Sequence, residues 1–175
     1  MPTSVEAPVR ADIAAQLGRP LRAASTVIRN CHLSLPVVIE VPPLLDDGTP
    51  FPTRYWLTCP LAIKRISRIE SHGEIGRMEA RRKSDAAFAD EVDAAHKRYE
   101  AERDALLPAD ADPRPRGGVA GARAGIKCLH AHYADHAAGN YNPAGVIVAP
   151  QIEPLDCVER CVVAGAVNPD WQEPK

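Results

Sequence analysis

Prolines interrupt this chain too often for a bundle of long helices. Seventeen of the 175 residues are proline, and proline lacks the backbone N–H that helices and sheet ladders need. We therefore expect many turns and extended segments. Hydrophobic residues at 45% and charged residues at 25% are typical of a globular domain that buries a core. Together these features predict a single α+β domain, with a small, mostly antiparallel sheet followed by three to four helices.

Three β-rich runs near the N-terminus predict the sheet, and turn residues separate them. A short helix, Ile13–Leu17, precedes the runs, and Asp12 can cap it. The runs are Ala24–Arg29, Pro36–Val41 and Arg54–Cys59.

Helical signals dominate the chain after the sheet. Pro60 suits the first turn of a helix, and Asp85 is a predicted cap for a long helix. The buried stripe of that long helix is predicted to consist of Phe88, Val92, Ala95, Tyr99 and Leu106. The expected helices are Pro60–Ser71, a polar helix from about Glu74, the long helix to about Leu107, and Ile126–Ala138. Two later apolar runs, Gly145–Ala149 and Cys157–Ala164, are candidate strands.

Composition divides the chain into a domain and two ends. We interpret residues 1–9 as a disordered lead, 10–165 as the α+β domain and 166–175 as a tail. Within the domain, residues 108–125 are rich in glycine and proline, which predicts a mobile loop. No segment has the apolar length of a signal-peptide core or a membrane span, so we expect a cytoplasmic protein.

Charge and cysteine content narrow the class of function. The formal net charge of −2 argues against a nucleic-acid partner, because such proteins are usually basic. Five cysteines without an export signal indicate reduced thiols, which serve in metal binding or catalysis more often than in disulfides.

The stretch Gly125–Gly145 concentrates the reactive side chains. In a helix over Ile126–Ala138, Cys128, His132 and His136 fall within an arc of about 80°. A thiolate and an imidazole one turn apart can bind one metal ion, with zinc the best match and iron the second. The remaining ligands must come from elsewhere, with Cys59 the first candidate, then Cys31 and His32.

Two other interpretations of these residues stay open. Cys128 can be a core thiol whose neighbouring histidines form hydrogen bonds near the surface. Alternatively, Cys128 is a nucleophile near a helix N-terminus, where the helix dipole and Lys127 favour the thiolate. His130 or His132 is then the base.

An anion site is a further candidate. Backbone amides at the start of this helix, after the glycine-rich loop, can hold a phosphate or a carboxylate. Arg54, Arg123 and Lys127 are the cations expected to hold the anion. The alternative is a loop that is merely flexible, with Arg54 stacked on Trp56 along a strand.

Several sequence blocks resemble the bacterial domain-of-unknown-function family 501. They are QLGRP (Gln16–Pro20), DGTPFPTRYWLTCP (Asp47–Pro60), the glycine-rich loop, KCLHAHYA (Lys127–Ala134) and NPAG (Asn142–Gly145). The likeness spans about residues 12–145, and the positions that it carries over are Arg54, Cys59, Lys127, Cys128, His130 and His132. The family brings no established activity. Its genes often lie near exopolyphosphatase-type and septum-formation genes, which is an association and not a mechanism.

The leading expectation is a metal-binding protein with hydrolase-like activity on an anionic or phosphorylated small molecule. Cys59, Cys128 and His132 are the expected zinc ligands, with His136 as an additional candidate. The competing expectation is a non-catalytic adaptor or regulatory protein in cell division or polyphosphate metabolism. In that case the Cys/His cluster is structural and a protein partner is expected.

Overall fold

A computed structural model describes residues 6–174 of the chain. Its helices are α1 (Ala7–Leu17), α2 (Pro60–Ser71), α3 (Glu74–Ser84), α4 (Ala86–Asp104), α5 (Leu129–Ala137) and α6 (Pro143–Ile152). Its strands are β1 (Thr26–Asn30), β2 (Pro36–Glu40), β3 (Tyr55–Leu57), β4 (Val162–Val163) and β5 (Ala166–Val167). The predicted α+β class is confirmed. The helix predicted before the sheet is present as α1, and five described α-helices rather than three to four follow the main sheet.

The main sheet has the order β1-β2-β3, and both pairings are antiparallel. Strand β2 is central, and Ile39 at its middle pairs with Val27 on one side and Trp56 on the other. Strand β3 is an edge strand that leads directly into α2, whose N-cap is Cys59. The free side of β3 therefore faces helices rather than another strand, and α5 packs there.

Helix α4 joins the sheet to the helical layer. Its predicted stripe is buried at Phe88, Val92, Ala95 and Tyr99, but Leu106 lies beyond the helix end and is 50% exposed. The Tyr99 hydroxyl accepts hydrogen bonds from the backbone amides of Arg54 at 2.6 Å and Tyr55 at 3.2 Å. The long helix thus satisfies backbone donors at the start of the edge strand.

Two helices begin where the sequence predicts. Helix α2 begins at Pro60, and the Asp85 carboxylate accepts from the amide of Phe88 at 3.1 Å as the N-cap of α4. The run Gly145–Ala149 was predicted as a strand, and that prediction is wrong. Asn142 caps α6 by accepting from the Gly145 amide at 3.1 Å, and Pro143 occupies the first turn.

The two ends of the chain are more ordered than the composition predicts. Helix α1 already includes residues 7–9, while residues 1–5 lie outside the described residues. In the predicted tail, β5 pairs with β4, and Glu173 forms an ion pair with Arg68. Both ends therefore pack against the domain where they are described.

The glycine-rich segment 108–125 is attached at buried points. His96 accepts from the Val119 amide at 3.0 Å and donates to the Gly125 carbonyl at 2.8 Å. The buried Arg103 donates to the carbonyls of Pro115 and Gly117. Mobility of this segment stays a prediction, and these contacts limit it to the stretches between the attachment points.

Helices α5 and α6 approach each other most closely at Gly145. A Cβ at this position would lie 2.7 Å from the His132 carbonyl oxygen and would also overlap the His136 side chain. Only a residue without a side chain allows the two helices to pack at this distance.

We predict that Gly145→Ala lowers the free energy of unfolding by about 1–3 kcal/mol, because the added methyl group overpacks the α5–α6 contact. Urea denaturation measures the effect. Gly76→Ala is the control, since it also lies in a helix and its Cβ would meet nothing within 4 Å. The control should be neutral or stabilising by up to about 1 kcal/mol. Equal stability of both variants would contradict the packing account.

Candidate functional site

A cleft of about 440 Å³ opens where the edge strand β3 meets α2 and the start of α5. It is lined by Thr53, Tyr55, Trp56, Leu57, Ile63, Ala120, Lys127, Cys128, His130 and Ala131. Residues of two of the resemblance blocks, Asp47–Pro60 and Lys127–Ala134, therefore line the same cavity. Most of the walls are apolar or aromatic, and the ionisable groups gather at Lys127, Cys128 and His130.

Cys128 lies outside α5 and not within it. Its backbone is extended, with φ −153° and ψ 117°, and it is the N-cap of a helix that begins at Leu129. The predicted helix over Ile126–Ala138 therefore starts too early. The helical spacing that aligned Cys128 with His132 does not apply across an extended residue. The Cys128 sulfur lies 3.7 Å from Nδ1 of His130 instead.

Glu70 from the last turn of α2 completes this group. Its Oε1 lies 3.3 Å from His130 Nδ1. In the described part of the chain, Glu70, Cys128 and His130 are the one group of three potential ligand side chains whose donor atoms all lie within 4.8 Å of one another. Sequence reasoning missed Glu70, because it lies 59 residues before Leu129 and has the appearance of an ordinary helix-end residue.

Hydrogen bonds orient the two partners of Cys128. Glu70 Oε1 accepts from the Leu129 amide at 2.6 Å, which is one of the free donors at the start of α5. His130 Nε2 lies 3.2 Å from the Ile63 carbonyl oxygen. Because a carbonyl oxygen only accepts, Nε2 carries a proton, and Nδ1 is the nitrogen that faces both Cys128 and Glu70.

The electrostatics of the pair favour charge separation. Burial raises the pKa of the Cys128 thiol, but the hydrogen bonds from His130 and from the Ala131 amide outweigh it, so that its pKa lies below the ordinary value. Burial lowers the pKa of His130, but Cys128 and Glu70 raise it above the ordinary value. Both pKa shifts move the pair in the direction of a thiolate beside an imidazolium.

His132 points to the opposite side of α5, into the core. It is fully buried, and its Nδ1 donates to Oδ1 of Asn142 at 2.9 Å. Burial is the main reason that its pKa falls to about 4, so that His132 is a neutral core histidine at pH 7. His136, one turn later, packs against α6 at Gly145. Neither histidine reaches the cleft.

Cys59 is also separate from Cys128. It is 6% exposed, and burial raises the pKa of its thiol to about 12. It lines a different, smaller cavity with three other cysteines. The structure therefore does not bring Cys59, Cys128 and His132 together as one ligand set, because these side chains project from β3–α2 and α5 in different directions.

The three predicted anion-binding cations are separated as well. Arg54 forms ion pairs with Glu40 at 2.9 Å and Glu102 at 2.8 Å. Arg123 lines another cleft, of about 660 Å³, together with Asp93 and Glu100. Lys127 alone of the three lines the cleft that holds Cys128.

A buried polar network fixes α5 behind the cleft. The Asp135 carboxylate is fully buried and accepts from Arg98 at 2.5 Å, from Asn142 Nδ2 at 2.9 Å and from Asn140 Nδ2 at 3.1 Å. One side chain on α5 thus holds α4 and the start of α6. This network sets the position of the helix whose first residues line the cleft.

Comparison with known proteins identifies the family of the chain. The sequence model of the family described as "Protein of unknown function (DUF501)" matches residues 27–150. The chain belongs to this family. The match includes the DUF501 segments that supply Glu70, Cys128 and His130, and it ends before Cys157 and Cys161. No curated protein and no solved structure matches the chain. In the described part of this DUF501 chain, no helix has the length and apolar character needed to cross a membrane.

We predict that Asp135→Ala lowers the free energy of unfolding by about 3 kcal/mol, because it leaves two asparagine amides without their acceptor and Arg98 with Glu102 as its remaining partner. The control is Asp93→Ala, which removes a surface ion pair with Arg82 at 3.6 Å and should cost at most about 1 kcal/mol. Thermal and urea denaturation of both variants provide the comparison. A loss for Asp135→Ala no larger than that of the control would show that the network does not stabilise α5.

Proposed function

We propose that the cleft is a catalytic zinc site that hydrolyses a small molecule with an anionic group. The observation that carries the proposal is the convergence of three donor atoms, Glu70 Oε1, Cys128 Sγ and His130 Nδ1, within 4.8 Å of one another, where Cys128 and His130 line the cleft. Of the ligands expected from the sequence, this proposal keeps Cys128, and it replaces the others with Glu70 and His130. Sulfur, nitrogen and carboxylate oxygen are all ordinary zinc donors.

The spacing of these atoms suits a tetrahedral ion. Zinc bonded about 2.3 Å from sulfur and about 2.0 Å from nitrogen or oxygen holds S and N about 3.5 Å apart, and N and O about 3.3 Å apart. The corresponding distances are 3.7 Å between Cys128 Sγ and His130 Nδ1, and 3.3 Å between His130 Nδ1 and Glu70 Oε1. Small movements of the side chains accommodate the ion.

The outer contacts support the same proposal. The Nε2–H of His130 donates to the Ile63 carbonyl, and the Glu70 carboxylate accepts from the Leu129 amide. Zinc-binding histidines usually donate their second ring N–H in this way, which fixes the ring and the tautomer. Three protein ligands also leave a fourth position for water, as in catalytic rather than structural zinc sites. A water bound there becomes a nucleophile near neutral pH.

The cleft walls indicate the class of substrate. Tyr55, Leu57 and Ile63 offer an apolar surface, and Lys127 adds a positive charge at the same cavity. A molecule with an apolar or aromatic body and a carboxylate or phosphate group matches both features. Arg54 and Arg123 are not part of this proposal, because the first is paired with two carboxylates and the second lines another cleft. A thiolate ligand requires a reducing compartment, which suits the cytoplasm.

An alternative enzymatic role uses Cys128 as the nucleophile without metal. The lowered pKa of Cys128 and its contact with His130 favour this alternative, and Glu70 then orients the imidazole as the third member of a triad. The adaptor hypothesis has weaker support. It predicts an exposed apolar patch beside α4, where the exposed large hydrophobic residues include Leu106 just after the helix and Tyr141, whose hydroxyl donates to Glu91 of α4 at 2.9 Å.

Metal content tests the zinc proposal. We predict that protein purified without chelator or affinity metal contains zinc, and that Cys128→Ser and His130→Gln each lose about one ion per chain relative to wild type. His72→Gln is the control, since His72 is an exposed histidine hydrogen-bonded to the Arg68 carbonyl, and it should keep the wild-type content. Equal zinc in wild type and Cys128→Ser, with both proteins folded, would remove the proposal.

Activity provides the second half of this test. Hydrolysis of aromatic phosphomonoesters and carboxylate-bearing esters is expected to stop after chelation and to return with added zinc. Lys127→Ala should raise KM more than it lowers kcat, because Lys127 contacts the anionic group rather than the reacting water. Hydrolysis that survives complete removal of zinc would exclude the metal mechanism.

Alkylation kinetics test the nucleophile alternative. If the protein is metal-free, we predict that iodoacetamide modifies Cys128 fastest of the five thiols. Since the Cys128 pKa is lowered, its thiolate persists to lower pH, and the midpoint of its rate profile falls below that of an ordinary cysteine thiol. His130→Gln should move that midpoint upward. Equal rates at all five cysteines would rule out an activated Cys128.

A further inference from the structure

Four of the five cysteines lie away from the cleft and surround a second, much smaller cavity. Cys31, Cys59, Cys157 and Cys161, here called the thiol cluster, line a cavity of about 10 Å³. A cavity of this size has room for about one water-sized occupant. The proposed function makes no use of these four residues.

The thiol cluster is assembled by the tertiary fold from three segments. Cys31 follows β1, Cys59 caps α2, and Cys157 and Cys161 lie between α6 and β4. Cys31 packs against both hydrophobic clusters that contain Cys59 and Cys161. Trp171 near the C-terminus also packs against both. The segment that follows α6 therefore packs beside β1 and the start of α2, where the four cysteines line one cavity.

Three of the sulfur atoms receive hydrogen bonds from N–H groups. Trp171 Nε1 donates to Cys157 Sγ at 3.4 Å, and Gln16 Nε2 contacts Cys161 Sγ at 3.7 Å. Backbone amides of Leu61 and Ala62, at the start of α2, donate to Cys59. A neutral thiol is a weak acceptor, whereas N–H donors around the sulfurs are a regular feature of metal-bound thiolates.

We propose that the thiol cluster is a second metal site, which binds a zinc ion through four thiolates. On binding, each of the four thiols releases its proton to solvent and forms one Zn–S bond, with no change of oxidation state. The site then carries a net charge of about −2, which the surrounding N–H groups stabilise. Four soft donors without nitrogen or oxygen ligands select zinc over magnesium or calcium.

Metal binding requires the sulfur atoms to move closer together. In the described chain, donor atoms of three side chains converge within 4.8 Å at Glu70, Cys128 and His130, and not at the thiol cluster. A cysteine needs rotation about a single side-chain torsion to redirect its sulfur. The small cavity among the four side chains is the space into which they rotate.

The proposed ion has a structural role. Four protein ligands leave no position for water, in contrast to the three-ligand site at the cleft. The ion joins the segment after α6 to β1 and α2, and two of its ligands lie beyond the DUF501 match at residues 27–150. Metal binding is thereby coupled to the docking of this C-terminal segment.

Cobalt titration of the Cys128→Ser variant isolates the thiol cluster, because that substitution removes the ligand proposed at the cleft. We predict that about one cobalt ion binds per chain, as at a structural zinc site. The bound ion should show the thiolate-to-cobalt charge-transfer absorption of tetrahedral sulfur coordination. Added zinc should displace it. Cys128→Ser together with Cys161→Ser should abolish the absorption.

A variant that keeps all four ligands distinguishes a loss of metal binding from a failure to fold. Trp171→Phe removes the N–H donor to Cys157 and should weaken metal binding about tenfold or more, whereas Trp56→Phe, which lines the cleft instead, should leave it unchanged. The proposal is overturned if reduced, folded Cys128→Ser protein binds neither cobalt nor zinc. It is also overturned if Cys161→Ser leaves the cobalt spectrum intact. Either result leaves the cleft site open, since that site is tested in protein that retains Cys128.

Discussion

The contact between the Glu70 carboxylate and the first amide of α5 holds the candidate site together. One oxygen of Glu70 accepts from the Leu129 amide and also lies 3.3 Å from His130. The contact satisfies a donor that the start of a helix leaves free. It also joins the end of α2 to the beginning of α5. It adds to the contact of His130 Nε2 with the Ile63 carbonyl, so that the start of α5 is fixed against α2 at two points.

The two faces of α5 have different roles because of how the helix is held. The N-cap Cys128 and His130 in the first turn line the cleft, while His132 and Asp135 are fully buried on the core side. Asp135 binds Arg98 of α4 and Asn142 at the start of α6. The contacts of the core face therefore fix the position of the helix. They also fix the position of Cys128 and His130, at its N-terminal end, beside the apolar walls of the cleft.

The sequence predicted correctly those helix starts and buried positions that depend on residues close together in the chain. Pro60 and Asp85 start helices as predicted, and the stripe from Phe88 to Tyr99 is buried. Two residues of the Cys/His block from which the sequence predicted a site, Cys128 and His130, line the cleft. The predicted ligand set failed because helical spacing was extended through Cys128, whose backbone is extended. Glu70 and the thiol cluster depend on contacts between distant segments, which no local pattern reveals.

Glu70 Oε1, Cys128 Sγ and His130 Nδ1 converge beside the cleft, and anomalous scattering at the zinc edge tests directly whether they bind a metal ion. Crystals grown with zinc should show a peak about 2.3 Å from Cys128 Sγ and about 2.0 Å from His130 Nδ1 and Glu70 Oε1. A peak there, with a fourth position open to the cleft, is the predicted result. Zinc bound elsewhere, with the cleft free of anomalous signal in crystals of folded protein, would contradict the proposed function.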